Sequence, residues 1–167
     1  MSINVDDNNE EIANQFLTFI LGGAEYGIDI LKVQEIRGWE ETTSIPNTPD
    51  YVLGVLNLRG IVVPIIDLRV RFTMETADFG SETVVVIVKI SQNEKERTVG
   101  LVVDAISDVY SVKETDIKDA PEFGGSLATE FINGLTTVNE KMIILLNVDL
   151  LVNVGVLEHE LDISESA

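Results

Sequence analysis

Short apolar runs, each stopped by glycine, proline or a polar turn, dominate this sequence. Residues 16–21 form one such run before Gly22-Gly23, and residues 83–90 form an almost unbroken β-branched run. Many short runs at regular spacing are typical of small closed or sandwiched β-sheets. Even the longest runs are far too short to cross a bilayer, so no direct membrane insertion is expected.

The pattern predicts strands, turns and a few helical residues. A short helical turn or bent strand is expected around residues 32–35, and a polar hairpin loop at 91–97. Apolar residues at helical spacing from Leu150 to Leu161 predict a C-terminal helix. Pro64 cannot donate to a ladder, so its strand is expected at an edge or beside a bulge. The predicted strands cover residues 16–21, 25–30, 54–58, 61–66, 83–90, 98–103, 107–112, 131–138 and 142–148.

The two halves of the chain resemble each other faintly. Residues 54–68 resemble residues 134–150, since each reads as a strand, a polar turn, an apolar strand and an Asp-Leu exit. Residues 25–30 resemble residues 98–103 in the same way. Duplication of one unit, with two small barrels meeting near residues 78–83, is one explanation. Chance similarity between apolar strands is the other.

The charge of the chain is strongly acidic. The net charge is −18 over 167 residues, and the body stays at −10 once the eight acids of the two ends are set aside. Such a field repels phosphate backbones, so no nucleic-acid binding is expected. Residues 1–14 are expected to be a disordered acidic terminus, and residues 153–167 the end of the helix and an acidic tail.

Groups that carry covalent chemistry are scarce. The chain has no cysteine and one histidine, His159, which lies in the acidic tail without an orienting partner nearby. We therefore expect no enzyme, no metal and no cofactor. An acid/base pair among the many carboxylates stays open, although Asp67 and Asp104 read equally well as strand-end caps or turn formers. The rival class is a small-barrel ligand-binding protein or a carboxylate enzyme.

A few surface side chains are candidates for contacts with other proteins. Arg59 lies in the predicted turn before Gly60 and is either a solvated turn residue or an interface anchor. Val33 and Glu35 fall on a short bent segment, where Val33 is either core or part of a surface. Trp39 is expected to cap the end of a barrel.

Six blocks of the sequence stand out together: residues 15–19 (QFLTF), 25–38 (EYGIDILKVQEIRG), 45–49 (IPNTP), 54–69 (GVLNLRGIVVPIIDLR), 99–109 (VGLVVDAISDV) and 120–123 (APEF). In this order and with this spacing, the blocks resemble the family of CheW-type chemotaxis coupling proteins. The resemblance covers the chain from residue 15 to about residue 151.

The resemblance implies a mainly β fold of two five-stranded, SH3-like barrels packed together, with short helices. It places the domain at residues 15–152, divided into subdomains 15–80 and 81–152 that can exchange strands. It implies a cytoplasmic adaptor, peripheral to membrane receptor arrays, that couples chemoreceptors to the histidine kinase CheA. The partners would be the regulatory domain of CheA and the cytoplasmic tip of the receptors.

The resemblance also implies a receptor-binding groove. The matching positions in the first half are Val33, Glu35 and Arg59, and those in the second half are Val84, Ser107 and Val109. In such a groove the valines would receive apolar side chains of a helical hairpin. Glu35 and Arg59 would fix its register or pair with each other. The kinase contact is expected at the hydrophobic ends of the barrels and is assigned to no residue.

Overall fold

The computed structural model describes residues 13–72, 74–119 and 131–153. Within these ranges the helices are α1 (Leu68–Arg71) and α2 (Val148–Asn153). The 3₁₀ turns Ile30–Lys32 and Glu114–Asp116 and ten strands complete the elements described there. The strands are β1 (Ala13–Leu21), β2 (Ala24–Asp29), β3 (Val33–Gly38), β4 (Val52–Leu58), β5 (Ile61–Asp67), β6 (Val84–Gln92), β7 (Lys95–Val103), β8 (Ala105–Lys113), β9 (Ile132–Val138) and β10 (Lys141–Leu146).

The strands form two five-stranded sheets, each drawn from both halves of the chain. The first has the order β8-β1-β2-β10-β9 and the second the order β3-β6-β7-β5-β4. After edge strand β3 the chain crosses to the opposite edge strand, β4, where Thr43 bridges to Val55. After edge strand β8 it crosses in the same way to β9, where Lys118 bridges to Leu135. These bridges close the sheets into two small barrels, called barrel 1 (β1, β2, β8–β10) and barrel 2 (β3–β7).

The two barrels repeat one pairing scheme. In each, two hairpins meet through one parallel pair, β2 with β10 in barrel 1 and β7 with β5 in barrel 2. Gly27 in one parallel pair and Gly100 in the other lie against the facing strand, where a Cβ would meet Leu145 or Ile65. The two units that the sequence similarity indicated therefore occupy equivalent places, with β4–β5 corresponding to β9–β10.

The hydrophobic core has three parts. Each barrel encloses its own small cluster, around Phe16 and Leu145 in barrel 1 and around Val63 and Ile87 in barrel 2. A larger central core lies between the barrels and contains, among others, Phe19 together with residues of both sheets and α2. Because burial of apolar area is the main driving force of folding, the central core is what joins the two barrels.

Strand β6 separates two of these clusters. Val85 and Ile87 point into barrel 2, while Val86 and Val88 belong to the central core. The β-branched run is therefore buried on both faces over residues 85–88, where all four side chains are at most 1% exposed, whereas Lys89 is exposed.

Several sequence-based boundaries need correction. The expected loop at 91–97 is mostly strand, since β6 and β7 pair as far as Gln92 and Lys95 around a two-residue turn. The first strand begins at Ala13, inside the terminus that was expected to be disordered. Of the two alternatives for Pro64, the edge strand is wrong, since β5 lies between β7 and β4; a bulge does interrupt the β4–β5 pairing, between Val52 and Gly54, and the pairing with β7 starts only at Ile65. Residues 1–12, 73, 120–130 and 154–167 lie outside the described residues, and with them His159 and the later part of the predicted C-terminal helix.

Candidate protein-binding surface

Edge strand β3 changes face halfway along its length. Val33 pairs with Val88, which points into the central core, whereas Glu35 pairs with Ile87, which points into barrel 2. A bulge between Val33 and Glu35 causes the switch, because the extra residue breaks the strict alternation of the strand. Glu35 consequently lies on the barrel side of β3.

Glu35 binds two arginines there. Its Oε1 accepts a hydrogen bond of 2.8 Å from Nη2 of Arg59, and its Oε2 accepts one of 3.1 Å from Nη1 of Arg37. Hydrogen bonds from Arg59 and then Arg37 lower the pKa of the Glu35 carboxyl below its usual value. Arg37 also binds Glu40, so the four side chains form a chain of alternating charge.

Arg59 reaches Glu35 from the far edge of the same barrel. It lies in the two-residue turn between β4 and β5, where Arg59 and Gly60 both have positive φ angles of 51° and 89°. Asn57 Oδ1 supports the turn by accepting from the Gly60 amide at 2.8 Å. The sequence-based alternative in which Glu35 and Arg59 pair with each other is confirmed, while the Arg59 side chain remains 64% exposed.

An apolar rim lies on the other face of β3, where the barrels meet. Val33 and Val84 are half-buried and pack against the central core. Ile36 pairs with Val86, so it shares this face, yet it is 44% exposed. Sequence reasoning missed Ile36, because strict alternation from Val33 would turn it to the opposite face, and the bulge is not visible in the sequence.

Barrel 1 presents an equivalent rim on edge strand β8. Ile106 pairs with Phe19 and Val109 with Leu17, so both lie on the face toward the central core. The bulge between these pairs leaves Ser107 exposed, and the Thr18 hydroxyl bonds the Asp108 backbone at 3.1 Å. Val109, 43% exposed, occupies the position on β8 that Ile36 occupies on β3.

Two further expectations concern side chains away from the rims. Trp39 packs on the end of the barrel 2 cluster against Phe79, with ring centroids 4.3 Å apart, which confirms its expected structural place. Asp67 caps α1 through the Arg69 amide at 3.0 Å, and burial raises the pKa of its carboxyl. Asp104 instead forms an ion pair with Arg69 at 2.7 Å.

The described residues contain neither a cluster of metal-ligand side chains nor a helix fit to span a membrane. In residues 13–72, 74–119 and 131–153, no three acidic, histidine or cysteine side chains converge as metal ligands would. Within the same ranges, every helix is too short or too polar to serve as a transmembrane span. The groups described above on β3, β8 and the β4–β5 turn are apolar rims and paired charges, which suit contacts with another protein.

Known proteins are similar in sequence to most of this chain. The family model described as "CheW-like domain" matches residues 15–155. The "Chemotaxis protein CheW" of Klebsiella aerogenes is 49% identical over 144 residues, covering 86% of this chain and 84% of that protein. The protein of the same name from Helicobacter pylori is 34% identical over 143 residues, covering 86% and 83%.

The chain belongs to the CheW-like domain family.

A solved structure agrees with this assignment. The crystal structure of the scaffolding protein TtCheW from Thermoanaerobacter tengcongensis superimposes with a TM-score of 0.76 at 31% identity. The match covers 86% of this chain and 90% of that one. The expected fold of two SH3-like barrels is thereby confirmed, as is the expectation of a chemotaxis scaffold rather than an enzyme. The rival ligand-binding or carboxylate-enzyme class gains no support from these comparisons.

Proposed function

We propose that this CheW-family scaffold couples chemoreceptors to the histidine kinase CheA and that its receptor contact is the surface around the two rims. The observation that carries the residue assignment is the chemistry of that surface. Val33 and Val84 are half-buried against the central core, Val109 is exposed on the strand face that turns toward that core, and Glu35 with Arg59 adds an ion pair on the opposite face of β3. Ile36 joins the proposed site because its register turns it to the same face as Val33.

A helical hairpin fits this surface by its chemistry. The apolar rims can pack against the apolar stripe of a helix, as grooves do in other helix-binding proteins. Arg59 keeps more than half of its side chain in solvent while Glu35 holds it, so the guanidinium can take a second carboxylate from a partner. Exposed Ser107 completes the proposed set with hydrogen-bonding capacity at the bulge of β8.

The rest of the proposal follows from the family. The regulatory domain of CheA would be the second partner, bound at the ends of the barrels, with the complex held in the cytoplasm at receptor arrays. A scaffold of this kind transmits a signal through the difference between its contacts in two receptor states. The division into subdomains near residue 80, with strands exchanged between them, stays a prediction of domain organisation.

Charge reversal at Arg59 tests the receptor contact. Arg59→Glu places a carboxylate against Glu35 and removes the proposed anchor, so binding to a soluble receptor cytoplasmic fragment should weaken at least about tenfold, as at an interface hot spot. Co-sedimentation or calorimetry measures the affinity. Unfolding should be little affected, because Arg59 is exposed.

Lys89→Glu is the matched control. Lys89 lies on β6 of the same barrel and makes an exposed pair with Glu96 at 3.8 Å, so its reversal changes the net charge equally. Receptor affinity should stay at the wild-type value in this variant. Equal weakening by both substitutions would show a general charge effect and remove the assigned role of Arg59.

A further inference from the structure

Two ion pairs occupy equivalent places at the points where the chain passes between the barrels. The chain goes from barrel 1 to barrel 2 between β2 and β3, and it returns between β7 and β8. Lys32 lies at the first passage and Asp104 at the second. Each binds a residue of opposite charge on the short helix that follows a barrel strand, and each pair also touches the neighbouring barrel.

The pair at the second passage, Arg69–Asp104, joins α1 to barrel 1. Arg69 holds Asp104 through two hydrogen bonds, from Nε at 2.8 Å and from Nη2 at 2.7 Å. Asp104 Oδ2 also accepts from the amide of Gly22, in the β1–β2 turn, at 2.9 Å. The hydrogen bond from Arg69 is the main reason that the pKa of Asp104 lies below its usual value. Arg69, on the helix that follows β5 of barrel 2, is thus linked through the Asp104 carboxylate to the β1–β2 turn of barrel 1.

The pair at the first passage, Lys32–Asp149, joins α2 to barrel 2. Lys32 Nζ lies 3.0 Å from Asp149 Oδ2, and Asp149 Oδ1 accepts from the amide of Ser91 on β6 at 3.0 Å. Asn153 adds a bond of 2.9 Å from its side-chain amide to the Ser91 carbonyl. Asp149, on the helix that follows β10 of barrel 1, is thus bonded to β6 of barrel 2.

The two arrangements correspond closely, with the charges exchanged. Arg69 is the second residue of α1 and Asp149 the second residue of α2, while Gly22 and Ser91 hold matching places in the equivalent hairpins β1–β2 and β6–β7. In both cases the carboxylate accepts the hairpin amide. The basic residue lies on the helix in the Arg69–Asp104 pair and at the passage between the barrels in the Lys32–Asp149 pair.

We propose that Arg69–Asp104 and Lys32–Asp149 are positioning pairs that fix the orientation of one barrel against the other, and with it the shape of a binding surface that spans both. The central core between the barrels is apolar, and apolar contact is not directional. Charge-assisted hydrogen bonds are directional and short, and they sit at both passages of the chain. Only the link to receptor binding rests on the proposed function; the orientation is a property of the isolated chain.

The absence of cysteine from the sequence permits a direct measurement of orientation. Val62→Cys in barrel 2 and Met142→Cys in barrel 1 introduce two exposed thiols at matching positions on β5 and β10. Spin labels at these thiols report the distance distribution between the barrels by pulsed electron paramagnetic resonance. We expect one narrow distribution in the otherwise unchanged chain.

Removal of the pairs should broaden or shift that distribution. The variants are Arg69→Ala with Asp104→Ala, Lys32→Ala with Asp149→Ala, and all four together. The control removes the exposed pair Lys89–Glu96, which lies within one hairpin of barrel 2, and should leave the distribution unchanged. Unchanged distributions in all three variants, with the fold intact by circular dichroism, would overturn the proposal.

Amide hydrogen exchange gives a second, local measurement, made on a variant that keeps the size and packing of the side chain. Asp104→Asn keeps the shape of the side chain but weakens the charge-assisted bond, so the Gly22 amide should exchange on the order of tenfold faster. The Ser91 amide, at the other pair, should keep its rate. If Gly22 exchange does not change, Asp104 does not hold the turn and the proposal fails.

Charge exchange separates an ion pair from mere side-chain bulk. Arg69→Asp combined with Asp104→Lys copies the order of charges found at Asp149 and Lys32, with the flexible lysine stem supplying reach. The combined variant should recover a narrower distribution than Arg69→Asp alone. Equal breadth in both would refute the role of the ion pair. Weaker receptor binding by the four-alanine variant would extend the result to function, and the distance measurement stands independently of that outcome.

Discussion

Glu35 and Asp104 show how the setting of a carboxylate decides its role at the scale of single residues. Glu35 is half-buried and bound by two arginines, of which Arg59 keeps 64% of its side chain exposed, so under the proposed function this arginine is the one that meets a partner. Asp104 is bound by one arginine and one backbone amide, an arrangement that ties two barrels together. The sequence offered Asp67 and Asp104 as equivalent caps, because only tertiary contacts distinguish them.

The pH dependence of stability tests the setting of Asp104. Its pKa is lower in the folded chain than the usual 3.8, so its stabilising effect is present above about pH 4 and is lost as the pH falls through the folded value. Asp104→Asn should therefore lower the free energy of unfolding most at neutral pH. The difference from wild type should shrink as the pH drops below about 4 in chemical denaturation series.

Asp67→Asn provides a contrast of opposite sign. Burial raises the pKa of the Asp67 carboxyl above its usual value, so that carboxyl favours the folded state increasingly as the pH falls through its folded pKa. Relative to Asp67→Asn, wild type should then gain stability on acidification. A shared slope for the two variants would contradict the assigned environments.

At the scale of elements, four two-residue turns shape the hairpins. Both residues of every one have positive φ: Gly22-Gly23, Arg59-Gly60, Asn93-Glu94 and Asn139-Glu140. Such turns match the twist of paired strands, and glycine or asparagine favours them. The glycine-bearing turns were evident in the sequence. Those with asparagine followed by glutamate were predicted too long, because glutamate carries no turn signal and its polar neighbours resemble loop.

Gly54 on β4 makes barrel closure sensitive to one methyl group. Its φ is 147°, and a Cβ there would collide with the carbonyl group of Thr43, which bridges to Val55. Gly54→Ala should lower the free energy of unfolding by about 2–4 kcal/mol, through backbone strain and steric conflict. Gly38→Ala on β3 is the control, since a Cβ there meets nothing within 4 Å, and thermal or denaturant unfolding measures both.

Gly38→Ala should leave stability within about 1 kcal/mol of wild type. Similar losses in both variants would mean that the return of the chain onto β4 does not depend on the close approach at Gly54. Gly134 holds the equivalent place on β9, where a Cβ would meet the Lys118 carbonyl oxygen at 2.8 Å. Barrel 1 should therefore show the same sensitivity.

At the scale of the whole molecule, the duplicated pattern becomes two barrels that share a central core. Apolar periodicity was enough to predict a β fold with short helices, and the similarity of 54–68 to 134–150 marked the equivalent hairpins. The helix caps did not follow the similarity, since Asn147, not Asp149, occupies the place of Asp67. Periodicity could not show which strands each sheet would combine, because long-range pairing leaves no local signature.

The candidate surface was predictable only in part. The turn pattern in the sequence predicted that Arg59 lies in a turn. Its pairing with Glu35 was one of the two roles that the family resemblance implied for these residues. The bulges in the β3 and β8 pairings decide which side chains of those strands face the rims, and the bulge in β3 is the reason that alternation from Val33 missed Ile36. A residue inserted into a strand shifts every later side chain to the other face, so such bulges limit what alternation alone predicts.

Kinase autophosphorylation in a reconstituted mixture tests the central claim most directly. The rate is measured with CheA and receptor fragments from the same organism, with and without this chain, and with the Arg59→Glu and Lys89→Glu variants. We expect stimulation only when kinase, receptor and chain are all present, and we expect Arg59→Glu to reduce it and Lys89→Glu to retain it. A rate that is indifferent to the chain, or a chain that stimulates the kinase equally without receptor, would contradict it.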